Sequence, residues 1–172
     1  MHGHPGSALG SSSWIERHLD LVRAGGRVLD LAAGGGRHTR LAHERGYSVT
    51  ALDRDVSALT GIPGIEVVEH DLEAGHPWPL GDASFDGVIV TNYLWRPLLP
   101  TLPGLLAPGG ALIYETFARG NERFGKPSNP AFLLKPGELL ECVRGRLRVV
   151  SYEELEIAEP RPAKVQRIAA IR

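Results

Sequence analysis

The chain has 172 residues, 42% of them apolar and 23% charged, with a net charge of −1. That size suits one domain with a sizeable core, and the near-neutral balance lacks the basic excess of a dedicated nucleic-acid binder. The single cysteine, Cys142, excludes an internal disulfide and a cysteine-type zinc site and fits a reducing cytoplasm. No apolar run reaches the roughly 18 residues that a membrane-spanning helix needs.

Residues 1–12 are rich in Gly, Ser and His and read as a flexible N-terminus without a signal-peptide centre. His2 and His4 can touch a metal, but a frayed start accounts for them, and no metal site is expected. From residue 13 to 172 the pattern is that of one domain. Trp14, Ile15, His18, Leu19 and Val22 recur at helical spacing, with Ser12 or Ser13 as cap and Gly25-Gly26 as stop. Arg27 to Leu31 is apolar enough for a strand buried on both faces. A helix follows from Arg37 to Arg45, ended by Gly46.

Tyr47 to Leu52 predicts a second strand, closed by Asp53, and Asp55 to Leu59 a short helix. Further strands are expected at Ile65–Glu69, Phe85–Thr91 and Gly110–Thr116. Pro100 and Pro103 predict a broken, partly 3₁₀ helix before the last of these. Residues 118–136 form a long connection that reads as a lid or a disordered loop. Pro136–Val143 reads as a short helix, and Arg146–Glu156 with Val165–Ile171 as a final antiparallel pair. Strands alternating with helices imply a mostly parallel, doubly wound α/β sheet.

In such sheets a ligand sits beyond the carboxyl ends of the strands, where strand order reverses. The first strand ends in Asp30-Leu-Ala-Ala-Gly-Gly-Gly36, and glycines there allow a sharp turn and close approach of a ligand. Asp30 can orient that loop and attract a cationic group. Asp53 stands where an acid accepts hydrogen bonds from ribose hydroxyls. Asp71 beside Leu72 suits an adenine amino group and its ring face. Neither the dinucleotide fingerprint nor a phosphate-binding loop is present: the sixth position from Gly34 is Thr39, and no Gly-Lys-Ser/Thr follows.

Taken together, these motifs resemble the class I S-adenosylmethionine-dependent methyltransferases, with some similarity to the small-molecule and tellurite-resistance types. Asp30–Gly36 resembles their glycine-rich first motif, Ala-Leu-Asp53 their ribose-binding strand end, and His-Asp71-Leu72 their adenine contact. Phe85–Tyr93 and Leu106–Ile113 resemble the fourth and fifth strands. The resemblance covers residues 27–118 and departs at Ala32, where the family often has glycine. It implies a three-layer sandwich around a seven-stranded sheet with a reversed last strand. It also implies S-adenosylmethionine as cofactor, held by Asp30, Ala32, Gly34, Gly36, Asp53, Arg54, Asp71, Leu72 and Asn92.

Methyl transfer from a sulfonium needs positioning and exclusion of water more than acid–base chemistry. By the same resemblance, the end of the fourth strand faces the methyl group. Asn92 can hydrogen-bond an acceptor or the methionine part, and Tyr93 and Trp95 can place rings near a sulfonium, packing being favoured for Trp95. Glu115 can act as base or bind a cationic acceptor. Asn92, Tyr93 and Glu115 are therefore the candidate catalytic residues. Arg96 either holds an anionic substrate or faces solvent. Asn121, Arg123, Phe124 and Lys126 lie on the expected lid, which would set acceptor choice. His38 can reach a cofactor carboxylate, with helix-surface solvation as the simpler reading, and His70 reads as a strand-end residue. The expected acceptor is a small molecule; RNA, protein or a non-catalytic binding module are the alternatives.

Overall fold

The computed structural model describes residues 10–172. His2 and His4, and most of the expected flexible N-terminus, lie outside the described residues. Seven strands form one sheet: β1 (Arg27–Leu31), β2 (Ser48–Asp53), β3 (Glu66–Glu69), β4 (Phe85–Thr91), β5 (Leu106–Phe117), β6 (Arg148–Ile157) and β7 (Ala163–Ile171). Their order is β3-β2-β1-β4-β5-β7-β6. β1 to β5 pair in parallel, whereas β7 runs antiparallel to both β5 and β6. Strand order therefore reverses between β1 and β4, whose carboxyl ends open the crevice in which ligands of such sheets bind.

Alternation along each central strand feeds two apolar layers. Val28, Val49, Ile89, Ile113 and Ala169 face α1 (Ser13–His18), a 3₁₀ turn at Leu19–Leu21 and α2 (Arg37–Glu44), where Trp14, Ile15, Leu19 and Ala42 meet them. Leu29, Val88, Val90, Leu112 and Ile168 face the other way. There they pack on the 3₁₀ segment Arg96–Leu105 and on α3 (Glu138–Val143), through Leu98, Leu102 and Leu139. Pro100 and Pro103 lie inside that segment, and the missing amide hydrogens explain why it stays 3₁₀.

Three local expectations are corrected. Asp55 to Leu59 is no helix: the Ser57 amide donates to Asp55 Oδ1 at 3.0 Å and the Asp55 amide to Asp53 Oδ1 at 2.9 Å. Short acidic side chains here satisfy the backbone that a helix would have used. β5 begins at Leu106 rather than Gly110, because the Pro108–Gly110 stretch bulges within the strand and pairs with the chain end, Gly109 N–H donating to the Arg172 carbonyl at 2.9 Å. Residues 118–136 are folded: Ala118 bridges Leu134, and Leu133 and Leu134 are buried. Among the described residues, no helix is long and apolar enough to cross a membrane.

Candidate functional site

The glycine turn after β1 is shaped by backbone that side chains resist. Ala32 has φ 58° and Gly34 φ 55°. The left-handed conformation costs an alanine about 1 kcal/mol, which is the physical content of the departure from glycine at position 32. Gly36 lies at φ 81° with Leu59 and Ile62 so close that a methyl group would clash with them. Over Gly34 and Gly35 a Cβ would meet nothing within 4 Å, so the bare turn faces open space.

Around that space, Asp53 is fixed by backbone on both oxygens: Oδ2 accepts from Gly34 N–H at 2.9 Å and Oδ1 from Asp55 N–H at 2.9 Å. Asp71 is fixed likewise by Glu73 N–H at 2.9 Å. Both acids line a cavity of about 300 Å³ together with Ala32, Arg54, Leu72 and Tyr93. The Tyr93 hydroxyl donates to Glu73 at 3.2 Å, and burial, reinforced by Glu73, raises its pKa, so Tyr93 presents a ring and a neutral phenol.

Beneath the turn, Asp30 is 1% exposed. Its Oδ2 accepts from Thr39 Oγ1 at 2.7 Å, and its Oδ1 has no hydrogen-bond partner. Burial pushes the carboxyl up to about 7, the Thr39 hydrogen bonds opposing that rise and Asp53 adding to it. A buried oxygen left unpaired costs about 1–3 kcal/mol, a debt that a cationic ligand group would relieve.

A second cavity, of about 380 Å³, opens on the other side of the turn. Phe117, Ile157, Pro160 and Val165 give it an apolar wall; Ser11, Ser12, Arg37, Asn92, Glu115 and Arg161 give it polar groups. Asn92 sits at its edge with φ 52°, a conformation that asparagine tolerates better than other side-chain-bearing residues. Glu115 is committed on both oxygens: Ser12 Oγ donates to Oε1 at 2.7 Å and Arg167 to Oε2 at 2.9 Å. Arg167 also bonds Glu153 at 2.8 Å and lies over the Trp14 ring. Burial lowers the Arg167 pKa, but the hydrogen bonds to Glu115 and Glu153 outweigh it, so the guanidinium stays charged.

Several sequence expectations change here. His38 is 2% exposed rather than solvated. Its Nε2 accepts from Ser12 N–H at 2.9 Å, which leaves Nδ1 as donor to Thr91 Oγ1 at 3.1 Å. Burial, aided by the charge of Arg37, drives its pKa down to about 3, so the ring is neutral. Residues 10–12, expected to be flexible, are held by this bond, by Ser12 to Glu115 and by Arg37 to the Gly10 carbonyl at 3.1 Å.

Arg96 is engaged within the fold: it bonds Glu138 at 2.9 and 3.0 Å and the carbonyls of Ala131 and Leu133 at 3.0 and 2.8 Å. Of the expected lid residues, Asn121 is buried, bonding the Pro127 carbonyl and the Lys164 amide at 2.9 and 3.0 Å. Arg123 pairs with Glu156 and lies over Phe124. None of the four lines either cavity. The wall by Asn92 and Glu115 comes instead from the β6–β7 turn and residues 10–13.

Of the expected cofactor residues, Ala32, Asp53, Arg54, Asp71 and Leu72 meet in one cavity, Asn92 lies in the other, Asp30 and Gly34 line neither, and Gly36 serves as the N-cap of α2. Sequence reasoning missed Leu52, His70, Glu73 and Phe132 on the first cavity. Only the position of His70 and Glu73 flanking Asp71–Leu72 offered a signal for them.

Residues 29–114 match the family described as a methyltransferase domain. No curated protein matches the chain. An S-adenosylmethionine-dependent methyltransferase from Mesorhizobium loti superposes with a TM-score of 0.71 at 21% identity, covering 92% of this chain and 95% of that one. TehB from Haemophilus influenzae gives 0.71 at 18% identity over 92% of this chain, which spans 61% of the Haemophilus protein. The 1,6-didemethyltoxoflavin-N1-methyltransferase of Burkholderia thailandensis, with bound 1,6-didemethyltoxoflavin and S-adenosylhomocysteine, gives 0.64 at 20% identity over 93% of this chain and 78% of that one. At these identities the likeness concerns the fold.

Proposed function

We propose a function from one premise: the chain belongs to the methyltransferase domain family. It is a methyltransferase, its cofactor is S-adenosylmethionine, and the acceptor we assign to it is a small molecule. The residues fit the cofactor, because Asp30 keeps an unpaired buried oxygen and the Gly34–Gly35 turn is open where side chains would stand. Bound there, the cofactor supplies a methyl group already activated on a sulfonium.

What remains for the protein is to hold, orient and exclude water. Asp53, preset by two backbone amides, has lone pairs left for ribose hydroxyls. Asp71 and Leu72 take the adenine edge and face, Arg54 lies beside them, and Asp30 takes the ammonium of the methionine part. Asn92 lines the second cavity and orients the acceptor. Tyr93 faces the cofactor side with its ring. Glu115, bonded to Ser12 and Arg167, positions the acceptor mouth; to serve as a base it would have to release the Ser12 hydroxyl.

The observation that carries the small-molecule reading is the second cavity. Its 380 Å³ and its apolar wall with a few convergent polar groups suit a compact acceptor. A net charge of −1 gives polynucleotides little general attraction. The test is a labelled-methyl assay run separately on small-metabolite pools, RNA and protein. Label in the metabolite pool with Asn92 and Glu115 intact, reduced by substitution of either, is the expected result. Label incorporated only into RNA or protein would overturn the acceptor assignment.

A further inference from the structure

Among the described residues Phe132 is the most exposed of the large apolar side chains: 51% exposed, although its neighbours Leu133 and Leu134 are buried. It does not hang from a loose loop. One guanidinium, that of Arg96, bonds the carbonyls of Ala131 and Leu133, the residues on either side of it, at 3.0 and 2.8 Å. The same guanidinium is gripped by Glu138, which also accepts from Lys135 N–H at 2.8 Å. Burial alone would raise the Glu138 carboxyl, but Arg96 and the Lys135 amide outweigh it and hold it below the ordinary range. On the N-terminal side Asn129 caps the turn, its Oδ1 accepting from Ala131 N–H at 2.9 Å. The backbone is pinned at 129, 131, 133 and 134, and the ring it presents lines the cavity of Asp53, Asp71 and Tyr93.

An exposed aromatic ring costs apolar hydration, and here a fixed backbone maintains that cost at one cavity only. We propose that Phe132 is a cofactor-retaining residue that closes the adenosine half of the site, and that Arg96 is the positioning residue that holds it there. The 118–136 connection then belongs to cofactor binding, not to acceptor choice. The inference rests on the reading of that cavity as the S-adenosylmethionine site.

The test is calorimetric titration with S-adenosylhomocysteine. An aromatic face against a nucleobase is worth a loss of about tenfold in affinity on truncation. Phe132→Ala is expected to weaken binding by about that factor and Phe132→Tyr to restore it, with acceptor KM unchanged for both. Arg96→Ala is expected to weaken binding severalfold in the native background and to add nothing in the Phe132→Ala background, the signature of two residues acting as one. Native protein that binds while Phe132→Ala binds equally well overturns the clamp. Additive losses from Arg96→Ala and Phe132→Ala overturn the positioning role. Failure of the native protein itself to bind S-adenosylhomocysteine overturns instead the underlying assignment of the cavity.

Discussion

In the proposed site, the cofactor half at the carboxyl ends of β1, β2 and β3 and the acceptor half at those of β4 and β5 are held together by different means. Apart from Phe132, whose flanking carbonyls Arg96 holds from 35 and 37 positions away, the cofactor half is made locally. A glycine turn, an acid at the next strand end and backbone amides close by fix each other, as Gly34 N–H does Asp53. The acceptor half is made at a distance. Ser12 reaches Glu115 across 103 positions of sequence, Thr91 reaches His38 across 53, and Arg167 reaches Glu115 across 52. A half made of local backbone geometry tolerates changes elsewhere; a half made of long-range polar bonds depends on every element that supplies one.

The largest expected effect falls where the two halves adjoin, in the opposed titrations of Asp30 and His38. Asp30 has its carboxyl raised from 3.8 to about 7, so the native state keeps a proton that the unfolded state has lost. Its contribution to stability is therefore full below about pH 4 and falls as pH rises to about 7, by on the order of 4 kcal/mol. His38 is lowered from 6.5 to about 3, so its contribution is full above pH 6.5 and is lost as pH falls toward 3. Between about pH 4 and 6.5 the two slopes cancel in the native protein. Denaturant unfolding of Asp30→Asn should show stability rising with pH through that window, and His38→Gln should show it falling. A flat profile in both variants would contradict the burial of these groups as the source of their shifts.

Next in size is Arg167. Arg167→Met leaves Glu115, at 12% side-chain exposure, and Glu153 without their shared cation. Unfolding free energy should drop by about 3 kcal/mol, as when one partner of a buried pair is removed. Affinity for S-adenosylhomocysteine should stay within twofold. An equal loss in cofactor affinity would mean that the halves are not separately built. The smallest effect belongs to Ser12→Ala, which removes the α1 cap and the bond to Glu115. It should cost about 1 kcal/mol of stability and raise acceptor KM with kcat nearly unchanged.

The same contrast explains what could be read before the fold was known. The five strands from Arg27 to Thr116 and the trio Asp30, Asp53 and Asp71 are legible because each is a local pattern: an apolar run, a strand-end acid, a glycine turn. The 3₁₀ character of residues 96–105 is legible because proline removes hydrogen-bond donors wherever it stands. The burial of His38 is not legible because it is set by Ser12 and Thr91, neither of them near it in sequence. From sequence Arg96 reads as either an anion holder or a solvated side chain, because nothing local announces Glu138 as its partner. The β6–β7 turn is not legible because it reaches the crevice only through sheet order, with β7 inserted between β5 and β6, and Phe132 because bonds from the distant Arg96 hold its backbone at the cavity.

The β1–β3 ends form the proposed nucleoside site, with Asp53 at its centre. Calorimetric titration of S-adenosylhomocysteine into the native protein and into Asp53→Ala tests it most directly. Two hydrogen bonds to a carboxylate contribute about 3 kcal/mol together, so saturable binding should weaken by about a hundredfold on substitution. Equal affinities for the two proteins, or no binding to the native one, would contradict it.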